Sequence, residues 1–128
     1  MNEFEKKSFS LTSRIKSFKY AFKGIYATLL SQHNFWIHLV VTVLVIGFGI
    51  FLELSIYEWL IIILCIGFVL TAEIFNSAIE LLTDIVSPEY NSTAGLVKDM
   101  AAGAVLISAV SSAVIGLIIF LPKLYNLL

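Results

Sequence analysis

Near the carboxyl end of the chain, 22 consecutive residues carry no charge: Met100 to Leu121 reads MAAGAVLISAVSSAVIGLIIFL. A helix needs about 20 apolar residues to cross a hydrocarbon layer of roughly 30 Å, so this stretch is long enough to span a membrane. Phe35 to Leu52 is uncharged for 18 residues. Trp59 to Ala72 is uncharged for only 14 residues and reaches spanning length if Glu73 lies within or near the bilayer. The sequence therefore predicts three membrane-spanning helices, at residues 35–53, 57–84 and 97–122.

The composition supports a membrane protein. Hydrophobic residues make up 59% of the 128 residues and charged residues only 13%, whereas soluble domains carry about 25% charged residues. A water-soluble enzyme and a disordered chain are both excluded on this ground. The length predicts one domain over residues 1–128. A signal peptide is rejected, because the first apolar stretch is too long and no small-residue cleavage site follows it.

The basic residues are placed asymmetrically. Six of the eight lie within the first 23 positions, and a basic flank favours the cytoplasmic side. The connection that holds Glu53 and Glu58 has no Lys or Arg, which suits the outer side. We therefore expect a multi-pass protein of the cell (plasma) membrane with a cytoplasmic N-terminus.

Residues 12–30 show helical periodicity before the first span. Apolar residues recur at spacings of three and four, and a stripe of lysines lies beside them. Ser13 is the predicted N-cap. An apolar face next to a basic stripe indicates an amphipathic helix lying in the membrane interface; a surface helix of a soluble protein is the alternative. The apolar face comprises Ile15, Phe18, Phe22, Ile25 and Leu29, and the basic stripe Lys16, Lys19 and Lys23.

The third span is rich in small residues, which let helices approach closely in lipid. Packing within the chain would explain them, but three helices enclose little interior, so packing between subunits is favoured. His33 and His38 are five residues apart, which does not suit a helical zinc pair, and both are interpreted as interface residues. Cys65 stands alone and predicts no disulfide. No basic array indicates nucleic acid.

Glu73, Asn76 and Glu80 stand at i, i+3 and i+7, so one helix face presents all three, and Asp84 extends the stripe. A carboxylate inside a bilayer costs about 2.5–3.5 kcal/mol by insertion estimates and is retained where it faces an interior or aqueous site. An interfacial stripe at a misjudged depth is the alternative. Glu73 suits general-base chemistry, Glu80 suits Mg²⁺, and Asn76 can orient either carboxylate.

Lys98 and Asp99 stand at the entry to the third span. Lys98 could pair with a phosphate and Asp99 could hold it in place. Alone the pair would be an ordinary helix-start charge pair, but with the Glu73 stripe it indicates phosphate chemistry at the cytoplasmic membrane surface. Neither a P-loop nor the protein-kinase motif set is present.

The run Ala72-Glu-Ile-Phe-Asn-Ser-Ala-Ile-Glu80, followed by Asp84 and by Lys98-Asp99 before a small-residue span, resembles the prokaryotic diacylglycerol kinase family over about residues 12–124. Glu53-Leu-Ser-Ile-Tyr-Glu-Trp59 and Gly116-Leu-Ile-Ile-Phe-Leu-Pro-Lys123 look like the Gram-positive branch, which is associated with undecaprenol kinase activity. The resemblance implies an all-α membrane protein that assembles as a homotrimer. It would phosphorylate a membrane lipid alcohol (undecaprenol or diacylglycerol) from ATP with Mg²⁺, at sites shared between subunits.

The resemblance also implies roles for single residues. Glu73 matches the catalytic proton acceptor and, with Asn76, the lipid-substrate site. Glu80 matches a metal ligand that also faces the nucleotide. Further nucleotide contacts would come from Tyr20, Glu89, Tyr90, Lys98 and Asp99.

One position departs from the family pattern. Gln32 stands where the family typically has a second metal-binding Glu, so a neutral oxygen ligand replaces a charged one and Mg²⁺ binding should weaken. This departure leaves open a catalytically impaired relative that serves as a membrane interaction module. A non-enzymatic proton or ion pathway subunit with Glu73 as carrier is the other alternative to a lipid kinase.

Overall fold

The computed structural model describes residues 8–128 and consists of four α-helices. They are α1 (Leu11–Ser31), α2 (His33–Phe51), α3 (Ile56–Val86) and α4 (Ser92–Leu127). Residues 8–128 contain no strand, so the predicted all-α class is confirmed. Of the basic N-terminal residues, Lys6 and Lys7 lie outside the described range.

Three of the helices, α2, α3 and α4, are long and apolar enough to cross a membrane. Their number matches the prediction. With 31 residues, α3 is about 46 Å long, and α4, with 36 residues, is about 54 Å long at 1.5 Å per residue. Both helices are therefore longer than a hydrocarbon layer of roughly 30 Å. The observed helices accordingly run past the predicted spans at 57–84 and 97–122.

The helix ends follow from local capping. The N-cap of α1 is Ser10, whose side chain accepts a hydrogen bond from the Ser13 backbone, so the prediction of Ser13 as the cap was wrong. A capping box of Ser55 and Glu58 begins α3. That helix ends at Val86, two residues before Pro88, as the proline predicts. Asn91 caps α4 by accepting from two backbone N–H groups.

The helices pack as an antiparallel α3–α4 hairpin, with α2 against α3 and α1 against the adjoining ends of α2 and α3. The buried apolar core is small and includes Phe35, Ile62, Val69 and Val105. Most large apolar side chains of α2, α3 and α4 are exposed in the single chain. Such a surface needs lipid or other subunits to cover it. The placement of α1 in the membrane interface remains a prediction.

The turn between α2 and α3 is tightly closed. Glu53 adopts a positive φ of 52°, a conformation that few non-glycine residues adopt. Gly49 lies against the Trp59 ring, and a Cβ added there would come within 2.8 Å of the ring. Glycine at position 49 therefore lets the two helices meet at this end.

Candidate active site

Glu73 is the most deeply buried carboxylate of the described chain, with 1% of the residue exposed. It lies on α3 beneath α2, where His38 Nε2 comes within 3.1 Å of Glu73 Oε1. The ring N–H is not aligned for a hydrogen bond, so Oε1 has no hydrogen-bond partner among residues 8–128. An unsatisfied buried acceptor costs about 1–3 kcal/mol, more when charged, so Glu73 is retained here at a cost in stability.

Asn76 and Glu80 lie about one and two turns beyond Glu73, on the same face of α3. The Glu80 carboxylate accepts two amide hydrogen bonds, from Asn76 Nδ2 at 3.2 Å and from Gln32 Nε2 at 3.1 Å. Gln32 is the single residue between α1 and α2 and caps both helices. The structure thus brings together three of the residues predicted for the site, including two that are 48 positions apart in sequence.

The side-chain oxygens of this group fit a hard cation. Asn76 Oδ1 is buried without a hydrogen-bond partner within residues 8–128, and it lies beside the Glu80 carboxylate. Mg²⁺ prefers oxygen ligands and keeps several waters. Turning over either amide would present an oxygen where a nitrogen now donates, because the two ends of an amide are nearly alike in shape. No cluster of three His, Cys, Asp or Glu side chains occurs in the described range, so a cation here would depend on amide oxygens as well as on Glu80.

Lys98 and Asp84 form an ion pair between α4 and α3. Asp84 is 11 residues beyond Glu73 on α3, about 16 Å along the helix axis. Asp99 follows Lys98 and is exposed. The basic group predicted to meet phosphate is therefore on the same side of α3 as the carboxylate stripe, but nearer to the connection between α3 and α4.

The remaining predicted nucleotide residues are solvent-exposed in the single chain. Tyr90 is 95% exposed and lies with Glu89 in the connection between α3 and α4. Tyr20 is 66% exposed on α1. The hydrogen bonds at Glu80 and the contact at Glu73 do not involve these three side chains.

His38 was missed by the sequence analysis, which interpreted it only as an interface residue. The available signal was its position within an apolar stretch, because ionisable residues in membrane spans tend to pair with one another. His38 also lines a groove of about 520 Å³ between α2 and α4 that passes over α3. The other lining residues are mainly apolar or small, among them Val41, Val69, Ala113 and Gly116. Glu73 is not among the groove residues, so the imidazole lies between the groove and the carboxylate.

Comparison with known proteins gives a consistent result. Residues 19–120 match the family described as Prokaryotic diacylglycerol kinase. The chain is 45% identical over 109 residues to the undecaprenol kinase of Bacillus subtilis, a match covering 85% of this chain and 89% of the relative. It is 34% identical to a diacylglycerol kinase of Synechocystis over 88% of this chain and 65% of the relative, and 31% identical to that of Escherichia coli K12 over 77% and 81%. The chain with the buried Glu73 and the Gln32–Glu80–Asn76 group therefore belongs to the prokaryotic diacylglycerol kinase family, a family of membrane lipid kinases.

Proposed function

We propose that this protein transfers the γ-phosphate of ATP to the hydroxyl of a membrane lipid alcohol, with undecaprenol as the preferred substrate and diacylglycerol as the second candidate. The preference is supported by the 45% identity to a protein named undecaprenol kinase, against 34% and 31% for relatives named diacylglycerol kinase. The reaction takes place at the cytoplasmic surface of the plasma membrane, with the N-terminus on the cytoplasmic side. The basic N-terminal segment supports that orientation.

The observation that carries this proposal is the burial of Glu73 with an unsatisfied oxygen in a helix of membrane-spanning length. A lipid hydroxyl that reaches this carboxylate donates a hydrogen bond to the oxygen that His38 does not contact. The hydroxyl oxygen then attacks the γ-phosphorus, the bond from phosphorus to the bridging oxygen of ADP breaks, and Glu73 takes the hydroxyl proton. Phosphoryl transfer depends mainly on positioning and on electrostatic stabilisation, and a buried base at a fixed depth provides the first of these.

Mg²⁺ would be held by Glu80 with help from the amide oxygens of Asn76 and Gln32. When bound, the ion supplies positive charge that neutralises the phosphate oxygens. Glu80 carries the formal charge of this set, and its two amide neighbours fix the orientation of its carboxylate. Because Gln32 is neutral, we expect the affinity for the cation to be lower than with two carboxylates.

ATP would bind from the cytoplasmic side, near the connection between α3 and α4. Lys98 is about one-third exposed and is held by Asp84, so it can exchange that partner for a phosphate. The exposed aromatic and acidic groups nearby would contact the rest of the nucleotide, and Glu80 would face its phosphates. The nucleotide-contacting set is Tyr20, Glu80, Glu89, Tyr90, Lys98 and Asp99.

We further propose that the protein acts as a homotrimer. In one chain the Lys98–Asp84 pair lies about 16 Å along α3 from Glu73, and Tyr20 and Tyr90 are exposed. The apolar faces of α2, α3 and α4 are also uncovered. A second copy packed against this surface would bury apolar area and could complete the nucleotide site. Chemical cross-linking in detergent should give trimers, and a product limited to monomers would contradict the shared site.

Two other functions fit part of the structure. A proton or ion pathway subunit is favoured by the ionisable pair His38–Glu73 between apolar helices. It would conduct without nucleotide and would not bind Mg-ATP. A catalytically impaired relative is favoured by Gln32, which donates to Glu80 where a second carboxylate would bind metal.

The decisive experiment compares Glu73→Gln with Glu53→Gln in purified, detergent-solubilised protein. Phosphorylation of undecaprenol and of diacylglycerol from labelled ATP is measured side by side. A positioned general base contributes roughly 10²- to 10⁴-fold to the rate, so Glu73→Gln should lose at least about 100-fold of the activity. Glu53 is exposed in the turn after α2, and Glu53→Gln should retain wild-type turnover. Wild-type turnover by Glu73→Gln would refute the assigned role.

A further inference from the structure

His38 is the one imidazole in contact with a carboxylate in residues 8–128. Its Nε2 lies 3.1 Å from Glu73 Oε1, and its side chain is 20% exposed. Its backbone carbonyl accepts a hydrogen bond from Thr42 Oγ1 at 2.7 Å, within α2. The ring nitrogen therefore faces the carboxylate on α3, while the backbone at this position belongs to a regular helix.

The His38–Glu73 contact is one of two contacts that set the register of α2 against α3; the other is Gln32–Glu80. Gln32 donates a hydrogen bond to Glu80 at 3.1 Å. His38 lies six residues after Gln32, and its partner Glu73 lies seven residues before Glu80, as expected for two antiparallel segments. Six and seven residues correspond to about 9 and 10.5 Å of helix rise. Because these spacings nearly agree, the two contacts form together without distorting either helix.

We propose that His38 is a positioning residue for Glu73, an inference that rests on the proposed lipid kinase function. The Nε2–H of His38 engages Oε1 and fixes the carboxylate, so the other oxygen is left to accept the hydroxyl proton. The 3.1 Å separation of Nε2 and Oε1 is within the range of a hydrogen bond. Since His38 also lines the α2–α4 groove, it is placed where the groove meets the carboxylate.

The groups around His38 leave Glu73 as its one carboxylate partner among the described residues. The other titratable side chain along the groove is Cys65, on α3, and the polar groups there are the hydroxyls of Thr42 on α2 and Ser112 on α4. The Thr42 hydroxyl is already bonded to the His38 carbonyl. No second acid among the described residues is in contact with His38, so Glu73 is the one carboxylate that its ring can position.

The kinetic test uses two substitutions of His38 and a matched histidine control. His38→Leu removes the N–H and keeps the side chain apolar, and it should lower kcat roughly 10- to 100-fold, the range expected for loss of a hydrogen bond to a charged group. The KM for ATP should not change. His38→Gln places an amide N–H at a similar reach and should restore a large part of kcat. His33 is exposed at the start of α2, and His33→Leu should match the wild type.

A spectroscopic test detects the His38–Glu73 contact without measuring catalysis. The chain has two histidines, so protein labelled with ¹⁵N-histidine in detergent gives ring-nitrogen signals from two side chains. The His38 signals are identified by their loss in His38→Gln. Glu73→Gln should shift the His38 signals and leave those of His33 in place, whereas unchanged His38 signals would overturn the proposed contact.

The failures of the two proposals can be told apart. A wild-type protein without lipid kinase activity, or a fully active Glu73→Gln, refutes the proposed function. If the wild type is active and Glu73→Gln is inactive, wild-type kcat in His38→Leu refutes the positioning role alone. A folding defect is separated by thermal unfolding, and loss of kcat in a His38→Leu protein with wild-type stability and KM, restored by His38→Gln, supports the role.

Discussion

Two carboxylates of α3, one in its first turn and one just past its middle, have opposite environments. At its N-terminal end, Glu58 accepts from the Ser55 backbone at 2.7 Å and from Lys123 Nζ at 3.1 Å, which ties α3 to α4. Towards the other end, Glu73 is almost fully buried and its Oε1 has no hydrogen-bond partner among residues 8–128. Satisfied polar groups stabilise a helix end, whereas an unsatisfied buried group calls for another explanation, such as a catalytic role. The contrast separates Glu58, whose bonds hold the fold, from Glu73, which is proposed to act on substrate. Glu80 accepts two amide hydrogen bonds and is assigned to the site by the oxygen ligands around it.

Exchanging a carboxylate for an amide at each end is the strongest way to test this contrast. Glu80→Gln removes the charged oxygen ligand proposed for Mg²⁺. Changing the groups that support a metal ligand typically lowers activity roughly 10- to 100-fold, so loss of the ligand itself should lower kinase activity by at least that factor. A higher Mg²⁺ concentration should restore part of the lost kinase activity. The measurement is the initial rate of lipid phosphorylation as a function of Mg²⁺ concentration.

Glu58→Gln is the matched control for Glu80→Gln. It removes the Lys123 ion pair at the opposite end and should lower the unfolding temperature slightly while leaving turnover at the wild-type level. If Glu58→Gln impaired turnover as much as Glu80→Gln, the division between structural and functional carboxylates would be wrong.

A smaller change is expected from Gln32→Glu. The substitution places a second carboxylate beside Glu80 in place of the amide that donates to it at 3.1 Å. Two like charges at this distance repel one another without a cation and bind it together when it is present. We expect the half-saturating Mg²⁺ concentration to fall several-fold and thermal stability to depend on Mg²⁺, as measured by melting with and without the ion. A large gain in maximal activity would instead identify the wild-type chain as an impaired kinase.

The smallest effect on activity is expected at the opposite end, from Gly49→Ala. The new methyl group would lie 2.8 Å from the Trp59 ring, and overpacking of this kind typically costs about 1–3 kcal/mol. Thermal unfolding in detergent should show the loss, while activity per folded molecule stays unchanged. Gly47→Ala is the control, because no atom lies within 4 Å of its new Cβ; equal destabilisation by both would refute the packing explanation.

The sequence was sufficient to predict the helices and one face of the site. Apolar stretches of spanning length gave three helices, and the i, i+3, i+7 spacing put Glu73, Asn76 and Glu80 on one face because helical periodicity is local. The end of α3 at Val86 agrees with the bias of proline against helix in the residue before it, here at Pro88. Ser13 was wrong as a cap because Ser10, three residues earlier, satisfies the first turn instead, and either serine is a suitable residue type.

Contacts between helices could not be predicted in the same way. Whether His38 meets Glu73 depends on how α2 is rotated about its own axis and on its register against α3. A single sequence carries little information on either quantity, because nearly all of the surface of α2 is apolar enough to pack. Gln32 was named as a ligand through family resemblance, but its donation to Glu80 became visible only when the two segments were seen side by side.

Gln32 also links the angle of α1 to the chemistry proposed at Glu80. It is the only non-helical residue between two helices, with φ −118° and ψ 113°, so any swing of α1 relative to α2 turns about this pivot. The side-chain amide of the same residue donates a hydrogen bond to the Glu80 carboxylate. A tilt of α1 relative to α2 would therefore move the Gln32 amide and, through its hydrogen bond at 3.1 Å, the Glu80 carboxylate proposed to hold the cation.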